Sequence, residues 1–362
     1  MVNQFPLGFG DSTFRRSDPP TFQRTLHLLL SLFEQRVFEN PFEIKRFRTL
    51  SKNSRVYGIA SHSGTRFFHQ SPVTGLLRPC RSHLPCYTVP PMARQRLGQH
   101  FLADLHWREE IARAIRVSPH STVPLHKDDQ HCWIEIGSGH GEMTQHLVAT
   151  GAPVHAIEID PAFLPGLRHL AKQFSNLTVV PGDILEADLA AIAPGRRIRV
   201  YGNLPYYITS PILHHLFTFA DLIDEIHVVI QNEVALRLAA QPGTRDYGYL
   251  SVVTQFYTRP EFVFEIPRDA FNPPPEVASA LVTLRLPGER AKLSLSSASD
   301  FLDFVKLCFS KKRKTLVNNL RSLAKRDRAR EALASLNLCP DARAEQLSVS
   351  QLAALHSLLA SA

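Results

Sequence analysis

The sequence predicts an α/β protein in which a parallel sheet, covered by helices on both faces, precedes a small C-terminal all-α domain. Three observations support this fold class. Between residues 132 and 230, short apolar runs alternate with helical patterns, which is typical of a parallel sheet between two layers of helices. Two β-rich runs then flank a proline-rich loop. Beyond about residue 290, only helical patterns follow.

The first 91 residues show no sustained period and are rich in Arg, Ser, Pro and Phe. Three explanations remain open for this basic N-terminal extension. An Arg- and Ser-rich N-terminus with few acids is typical of an organellar targeting peptide, and a basic arm could bind RNA without folding. Alternatively, translation begins at Met92, where the organised sequence starts. No functional site is assigned to residues 1–91.

Five apolar runs predict the parallel strands of a Rossmann-like sheet. They cover residues 132–136, 154–160, 177–180, 198–201 and 225–230. Helical patterns cover residues 105–115, 141–150 and 162–173. The later runs 261–266 and 279–286 predict an antiparallel pair at one edge of the sheet. Residues 92–290 are therefore predicted to form the sheet domain.

Residues 291–362 are predicted to form the helical domain, and a strongly basic segment lies within it. Its helices are predicted at 301–309, 314–324, 328–336 and 349–359. Between residues 306 and 330, ten Lys and Arg stand against one acid, Asp327. The chain has 41 basic and 33 acidic residues, of which 12 basic and 5 acidic residues lie in the first 91. The rest of the chain therefore has 29 basic and 28 acidic residues, which nearly balance. The basic segment is therefore a local feature and a candidate RNA-facing surface.

Composition excludes several classes of protein. The chain has 362 residues, of which 44% are hydrophobic and 20% charged, as in a globular protein. Its 5 cysteines form no C-x-x-C pair, so neither a metal site nor a disulfide framework is predicted. No apolar run approaches the ~20 residues that span a bilayer. We expect a cytoplasmic monomer if translation begins at Met92, whereas a cleaved extension would indicate an organelle.

Three successive strands are predicted to end in a cofactor-binding crevice. Gly137, Gly139 and Gly141 follow the first strand and allow the backbone to approach a nucleotide-like cofactor. Glu158 ends the second strand, where it could accept both hydroxyls of a ribose, and Asp183 follows the third, where it could accept from an adenine amino group. Capping and turn formation explain any one of these residues, but poorly explain all three at one sheet edge.

The fourth strand leads into Asn203-Leu204-Pro205-Tyr206, named here the NLPY loop. A neutral amide, a proline of fixed φ and an aromatic ring predict a rigid polar loop that could hold a flat substrate, although an ordinary strand-to-helix turn would use similar residues. The loop resembles the target-amine motif of S-adenosylmethionine-dependent methyltransferases that act on nitrogen. NAD is the competing cofactor, but the third glycine comes one residue early for its motif, and the NLPY loop has no obvious role in hydride transfer.

The motifs together resemble those of the ribosomal RNA adenine N6,N6-dimethyltransferase family of the KsgA type, in the same order. The matching segments lie within about 94–320, and comprise residues 98–102, 135–141, 158–160, 182–183, 203–206, 231–234, 271–277 and 312–316. The resemblance implies a class I methyltransferase sheet. It also implies dimethylation of two adjacent adenosines in small-subunit (16S-type) ribosomal RNA, within a pre-ribosomal particle, with S-adenosylmethionine as the cofactor.

The resemblance and the strand-tip argument together give three sets of candidate site residues. The cofactor-binding set is Gln99, His100, Leu102, Glu135, Gly137, Gly139, Gly141, Glu158, Asp183, Ile184 and Asn203. The catalytic set is Asn203, Leu204, Pro205, Tyr206 and Phe271. The RNA-binding set is Lys311, Lys312, Arg313 and Lys314.

The expected chemistry starts from the poor nucleophilicity of adenine N6, whose lone pair is delocalised into the ring. Hydrogen bonds from the amine to the Asn203 side-chain oxygen and the Leu204 carbonyl would favour a tetrahedral nitrogen, so positioning rather than a strong base supplies the rate. Tyr206 and Phe271 are predicted to sandwich the extruded base. Packing in the core beside the proline-rich loop is the alternative for Phe271.

Three residues depart from the family pattern, and two other functions remain open. The family commonly has Asn at position 207, Lys at position 276 and Asn at position 100, where this chain has Tyr207, Glu276 and His100. One alternative is a large-subunit methyltransferase of the antibiotic-resistance type. The other is a non-catalytic assembly or transcription factor that kept the fold, against which the presence of Asn203 and Glu158 argues.

Overall fold

The computed structural model describes residues 99–117 and 131–360. The predictions made for residues 1–91 therefore lie outside the described residues.

Within the described residues, nine strands form two sheets. The strands are β1 Phe101–Leu102, β2 His131–Ile136, β3 Val154–Glu158, β4 Leu177–Pro181, β5 Arg197–Asn203, β6 Ile223–Gln231, β7 Arg259–Ile266, β8 Phe271–Asn272 and β9 Ser279–Arg285. The large sheet has the order β4-β3-β2-β5-β6-β9-β7, whereas β1 pairs only with β8. β2 to β6 are parallel, and β9 lies antiparallel between β6 and β7. The order of the parallel strands reverses between β2 and β5, since β3 and β4 lie on one side and β6 on the other. In open α/β sheets, ligands bind at such a reversal.

Eleven α-helices accompany the strands in the described ranges. They are α1 Leu105–Ala114, α2 Glu142–Val148, α3 Leu164–Gln173, α4 Leu189–Ile192, α5 Thr209–Phe217, α6 Asn232–Ala239, α7 Tyr249–Tyr257, α8 Ala298–Cys308, α9 Leu316–Asn319, α10 Arg326–Ser335 and α11 Val349–Ala360. The predicted helix at 314–324 is instead the short α9 followed by a 3₁₀ turn, Leu320–Ser322. Lys311–Lys314 lie in a turn before α9, so Lys314 does not begin a helix as predicted. Four successive cations, with Lys311 and Lys314 three residues apart, would repel one another on a helix.

The central strands are mostly apolar because both faces of the sheet are buried. Neighbouring residues point to opposite faces: on β5, Val200 packs into one core cluster and Tyr201 into the other. On β6, Val228 and Val229 divide in the same way. This double burial explains why the strands appear in the sequence as continuous apolar runs rather than as alternating ones.

The C-terminal helices form a third core cluster together with α7. Phe256 of α7 packs on Phe301 of α8, with 5.1 Å between ring centroids. Tyr247, which is 0% exposed, donates a hydrogen bond to the Leu347 carbonyl at 3.0 Å. A segment of the sheet region thus shares its core with the helical region, while the division at residue 290 stays a prediction.

Candidate active site

The glycine turn, residues 137–141, follows β2 in backbone conformations that side chains disfavour. Gly137, Gly139 and Gly141 have φ values of +69°, +52° and +84°, in the left-handed region where glycine has no steric penalty. A Cβ at Gly139 would lie 3.1 Å from Cε1 of Phe101. The turn therefore combines glycine-only geometry with a close approach to the chain segment before α1.

Glu158, at the end of β3, connects that strand to the glycine turn. Its side chain accepts hydrogen bonds from the backbone N–H groups of Gly139 and Asp160, both at 2.8 Å. The residue is 2% exposed. A carboxylate has about four lone-pair sites, so two bonds still leave acceptor capacity for a ligand. The sequence placed Glu158 at a strand tip, and the structure places it against the glycine turn.

Glu135, on β2, is a buried acid directly before this turn. The residue is 2% exposed, and the Thr144 hydroxyl donates to its Oε2 at 2.5 Å. Burial raises the pKa of Glu135 to about 8, because removal from water disfavours the charged form. The folded protein therefore holds this carboxyl mainly in its protonated form at neutral pH.

Asp183 follows β4 and begins the 3₁₀ turn Ile184–Glu186. Its Oδ1 accepts from the Leu185 N–H at 2.9 Å, and the Ile184 side chain is buried in the core. Burial, and after it the negative charge of Asp183, raises the pKa of Tyr207. The third strand tip therefore lies near the residue that follows the NLPY loop, so the predicted cofactor and substrate elements meet here.

Asn203 ends β5, and its side-chain orientation is fixed by the segment before α1. Its Nδ2 donates to the His100 carbonyl oxygen at 2.9 Å. Since a carbonyl oxygen only accepts, this bond identifies the amide nitrogen, and Oδ1 is left with no donor among residues 99–117 and 131–360. The Leu204 N–H donates to the Val229 carbonyl at 3.0 Å, which holds the NLPY loop against β6.

Close packing at Gly202 fixes where the loop leaves the sheet. A Cβ at this position would lie 2.7 Å from Cδ2 of Leu204 and 3.2 Å from Cβ of Ile136. Leu204 is itself 1% exposed. Farther along, the Pro205 carbonyl accepts from the Ile208 N–H and the Thr209 hydroxyl, both at 3.2 Å.

Tyr206 is held at its hydroxyl end and on its ring. Its hydroxyl shares a 2.7 Å hydrogen bond with Oγ of Ser279. The His100 ring stacks on Tyr206, with 5.6 Å between centroids and 28° between planes. Nδ1 of His100 donates to the Pro273 carbonyl at 2.8 Å. Three segments distant in sequence therefore converge around Tyr206.

Leu102 and Phe271 lie opposite each other in the small β1-β8 sheet, and both side chains are buried. Phe271 is 3% exposed and packs in the same core cluster as Leu102 and Tyr201. Core packing, the alternative considered for Phe271 from the sequence, is thus what the structure contains, and its stacking on a base stays a prediction. The Leu102 carbonyl accepts from Nε of Arg108 at 2.7 Å.

The basic turn, Lys311–Lys314, lies outside the crevice, and all four of its side chains are exposed. A hydrogen bond of 2.9 Å from the Lys314 N–H to the Lys311 carbonyl closes the turn. Asn319, which is 6% exposed, donates from Nδ2 to the carbonyls of Cys308 at 2.6 Å and Lys311 at 3.3 Å. A buried amide therefore supports the turn from beneath while the charges face solvent.

The sequence model of one family, described as ribosomal RNA adenine dimethylase, matches residues 92–361. The chain belongs to the ribosomal RNA adenine dimethylase family. It is 37% identical to the ribosomal RNA small subunit methyltransferase A of Koribacter versatilis, over 74% of this chain and 95% of the relative. The enzyme of the same name from Chromohalobacter salexigens is 38% identical, over 74% and 92% of the two chains.

Two solved structures share the fold. A dimethyladenosine transferase from Plasmodium falciparum superposes with a TM-score of 0.58 at 24% identity, covering 71% of this chain and 96% of that one. The 23S rRNA methyltransferase ErmE superposes with a TM-score of 0.55 at 28% identity, covering 72% and 99%. The family, the α/β class I methyltransferase fold and the enzyme class predicted from the sequence are confirmed.

Sequence reasoning missed several residues around the dimethylase crevice. Phe101, His140 and Phe163 form a cluster of edge-on rings beside the glycine turn, with centroids 4.8 to 5.4 Å apart. Phe101 and His140 lie within motifs but Phe163 does not, so no spacing pattern indicated the cluster. Ser279 and Asn319 were missed because a single small polar residue carries no signal until its partner is known.

The described helices include none that is long and apolar enough to cross a membrane. Within residues 99–117 and 131–360, no group of three or more His, Cys, Asp or Glu side chains is arranged to hold a metal ion.

Proposed function

We propose that this protein transfers methyl groups from S-adenosylmethionine to N6 of two adjacent adenosines in small-subunit ribosomal RNA. The observation that carries the proposal is the orientation of Asn203. Its amide nitrogen is bound to the His100 carbonyl, so its oxygen is the group that remains to accept a hydrogen bond from a substrate amine.

The cofactor proposal is supported by the polar groups of the crevice. Oε1 of Gln99 is buried without a hydrogen-bond partner among the described residues. A buried amide oxygen needs a donor, and the hydroxyl and amino groups of this ligand could supply one. The residues proposed to hold it are Gln99, His100, Leu102, Glu135, Gly137, Gly139, Gly141, Glu158, Asp183, Ile184 and Asn203.

When bound, S-adenosylmethionine supplies a methyl group already activated by attachment to a positively charged sulfur. The protein therefore has only to orient the amine. Oδ1 of Asn203 and the Leu204 carbonyl accept its hydrogen atoms, which directs the nitrogen lone pair away from the ring plane. Pro205 limits movement of this loop, and the Tyr206 ring stacks on the extruded base, an interaction worth about 1–3 kcal/mol. Preorganised acceptors of this kind act without rearranging during the reaction.

The basic turn is proposed to bind RNA phosphates. Lys311, Lys312, Arg313 and Lys314 carry charge into solvent from one short segment. Contacts to phosphate position a nucleic acid without reading its sequence, so base identity is read in the crevice. Because binding releases counterions, affinity is expected to fall as salt rises.

The choice of the small-subunit RNA is supported by relatedness. The relatives named ribosomal RNA small subunit methyltransferase A are 37–38% identical to this chain, over 74% of its length. The deciding assay gives the protein unmethylated small-subunit and large-subunit RNA in parallel, then digests each RNA and measures N6-dimethyladenosine by mass spectrometry. Product only on large-subunit RNA would exclude the proposed substrate, and product on neither RNA nor their particles would favour the non-catalytic factor.

The remaining assignments are proposals of the same kind. A pre-ribosomal particle as partner, the monomeric state and the cytoplasmic location follow from the resemblance and from a start at Met92. Mass spectrometry of the mature N-terminus tests the location, since a cleaved extension would indicate an organelle.

A further inference from the structure

The His100 ring lies on the substrate side of the crevice. The sequence predicts His100 as a cofactor ligand, yet its ring contacts are with Tyr206 and Pro273. Its backbone carbonyl, a separate group, holds the Asn203 amide. A substitution of the side chain therefore removes the ring contacts and leaves the Asn203 bond in place.

The hydrogen bond of the ring fixes both its tautomer and its orientation. The Pro273 carbonyl can only accept, so Nδ1 of His100 carries the hydrogen. With that edge bound at 2.8 Å, one face of the imidazole is directed onto Tyr206. Tyr206 is also bound through its hydroxyl to Ser279, so its ring is restrained at two places.

The proline loop, residues 272–277, is itself a firm support for this contact. Nε of Arg268 donates to the Pro275 carbonyl at 2.7 Å. The Ala270 carbonyl accepts from the N–H groups of Ala103 and Asp104 at 2.9 and 3.1 Å. Arg268 therefore holds the loop after Pro273, and Ala270, which precedes the loop, is bound to the segment carrying His100.

We propose that the His100 ring is a positioning residue for the target base, acting through Tyr206, and that His100 faces the cofactor through its backbone rather than through its ring. This inference rests on the proposed function. The ring transmits the fixed position of the proline loop to Tyr206, so that Tyr206 presents its other face to the base at a set distance from Asn203. Small displacements of reacting groups have large effects on rate.

Three variants separate the two contacts of the ring. His100→Asn keeps a donor two bonds from Cβ, where Nδ1 stands, but has no ring to stack. His100→Phe keeps a ring and loses the donor. His100→Ala loses both, and is expected to lower the single-turnover methylation rate at saturating cofactor by roughly ten- to a hundredfold. The Asn and Phe variants are expected between Ala and the unsubstituted protein.

Cofactor affinity, measured by calorimetry, is expected to stay within about twofold in all three variants, as in the control His169→Ala, an exposed histidine of α3. A double-mutant cycle tests the route of the effect. If His100 acts through Tyr206, His100→Ala changes the rate little in a Tyr206→Leu background.

Two results would overturn the inference. One is cofactor binding at least tenfold weaker with an unchanged rate at saturating cofactor. The other is that His100→Ala lowers the methylation rate in the Tyr206→Leu background by as much as it does in the unsubstituted protein. Should His100→Ala fail to fold, the Asn and Phe variants decide the question by the same measurements. Failure of the proposed function itself would be seen separately, as absence of methylation by the unsubstituted protein.

Discussion

The crevice and the basic turn place charged and polar groups in opposite environments. In the crevice, Glu135 and Glu158 are each 2% exposed, and their oxygens are bound to neighbouring groups. In the basic turn, four cations face solvent, and the Asn319 amide beneath them is buried. Buried groups act through fixed geometry, whereas exposed charges act through their number and are screened by salt. Activity should therefore depend on single polar atoms in the crevice, whereas RNA binding should depend on the net charge of the turn.

The largest effect is expected for Asn203→Ala in the crevice. The variant loses the amide oxygen proposed to accept from the amine, and loss of one preorganised polar group costs roughly 10²–10³ in rate. Cofactor binding should stay largely intact, and neither result should depend on salt. Single-turnover transfer of a labelled methyl group and calorimetry with the cofactor measure the two quantities. Unchanged turnover would remove Asn203 from the proposed mechanism.

The next effect is expected when Lys312, Arg313 and Lys314 are all changed to Glu. RNA affinity should fall by more than about tenfold at low salt, and the slope of log affinity against log salt should decrease by roughly one for each lost phosphate contact. Reversal of the exposed Arg168, Lys172 and Arg245 is the matched control. Filter binding at several salt concentrations measures both quantities. If RNA affinity and its salt dependence change equally in the two triple variants, the turn is an ordinary solvated surface and not an RNA-binding one.

A smaller effect is expected for Gly202→Ala, which adds one carbon atom where the sheet and the NLPY loop meet. The new Cβ would lie 2.7 Å from Leu204, so the buried loop must shift, and overpacking costs about 1–3 kcal/mol of stability. Gly166→Ala in α3 is the control, since nothing lies within 4 Å of its Cβ and alanine favours a helix by roughly 0.5–1 kcal/mol. Urea unfolding compares the two. If the two variants are equally stable, the NLPY loop moves aside more easily than its packing against Gly202 indicates.

The last effect is a pH dependence of stability that Glu135 contributes. Its pKa rises from 4.5 to about 8 on folding, so the folded protein holds this proton more tightly than the unfolded chain does. The free energy of unfolding should therefore fall as pH rises from 4.5 to about 8, by at most about 1.4 kcal/mol per pH unit. Glu135→Gln should remove this contribution. Urea unfolding at pH 5, 6.5 and 8 measures it, and identical slopes in both proteins would contradict the shift.

The sequence was sufficient to predict the sheet and the edge at which the candidate site residues lie. Continuous apolar runs identified the strands, and the position of Glu158 and Asp183 at strand ends followed from their spacing. Asn203 could be assigned because parallel strands end at one edge. These inferences use only contacts between neighbouring strands, for which local pattern is enough.

Contacts between distant segments could not be predicted. Phe101 pairs with Asn272 across 171 residues, and no local pattern specifies such a pairing. The direction of the His100 ring depends on that pairing. The motif around His100 therefore indicated a cofactor ligand, whereas in the structure the ring contacts Tyr206. A helix was predicted from residue 314, but Lys314 lies in the basic turn, which is held by hydrogen bonds from Asn319 to the Cys308 and Lys311 carbonyls. These are tertiary contacts that no local pattern specifies.

The contact of Tyr247 and Phe256 with the C-terminal helices has a consequence for how the molecule unfolds. If the chain were cut near residue 290, both aromatic residues would lose the partners that bury them, and the sheet region would expose apolar surface to water. The sheet and the helices should therefore melt together, as one cooperative transition in calorimetry. The candidate crevice and the basic turn are then expected to be lost together when the protein is heated.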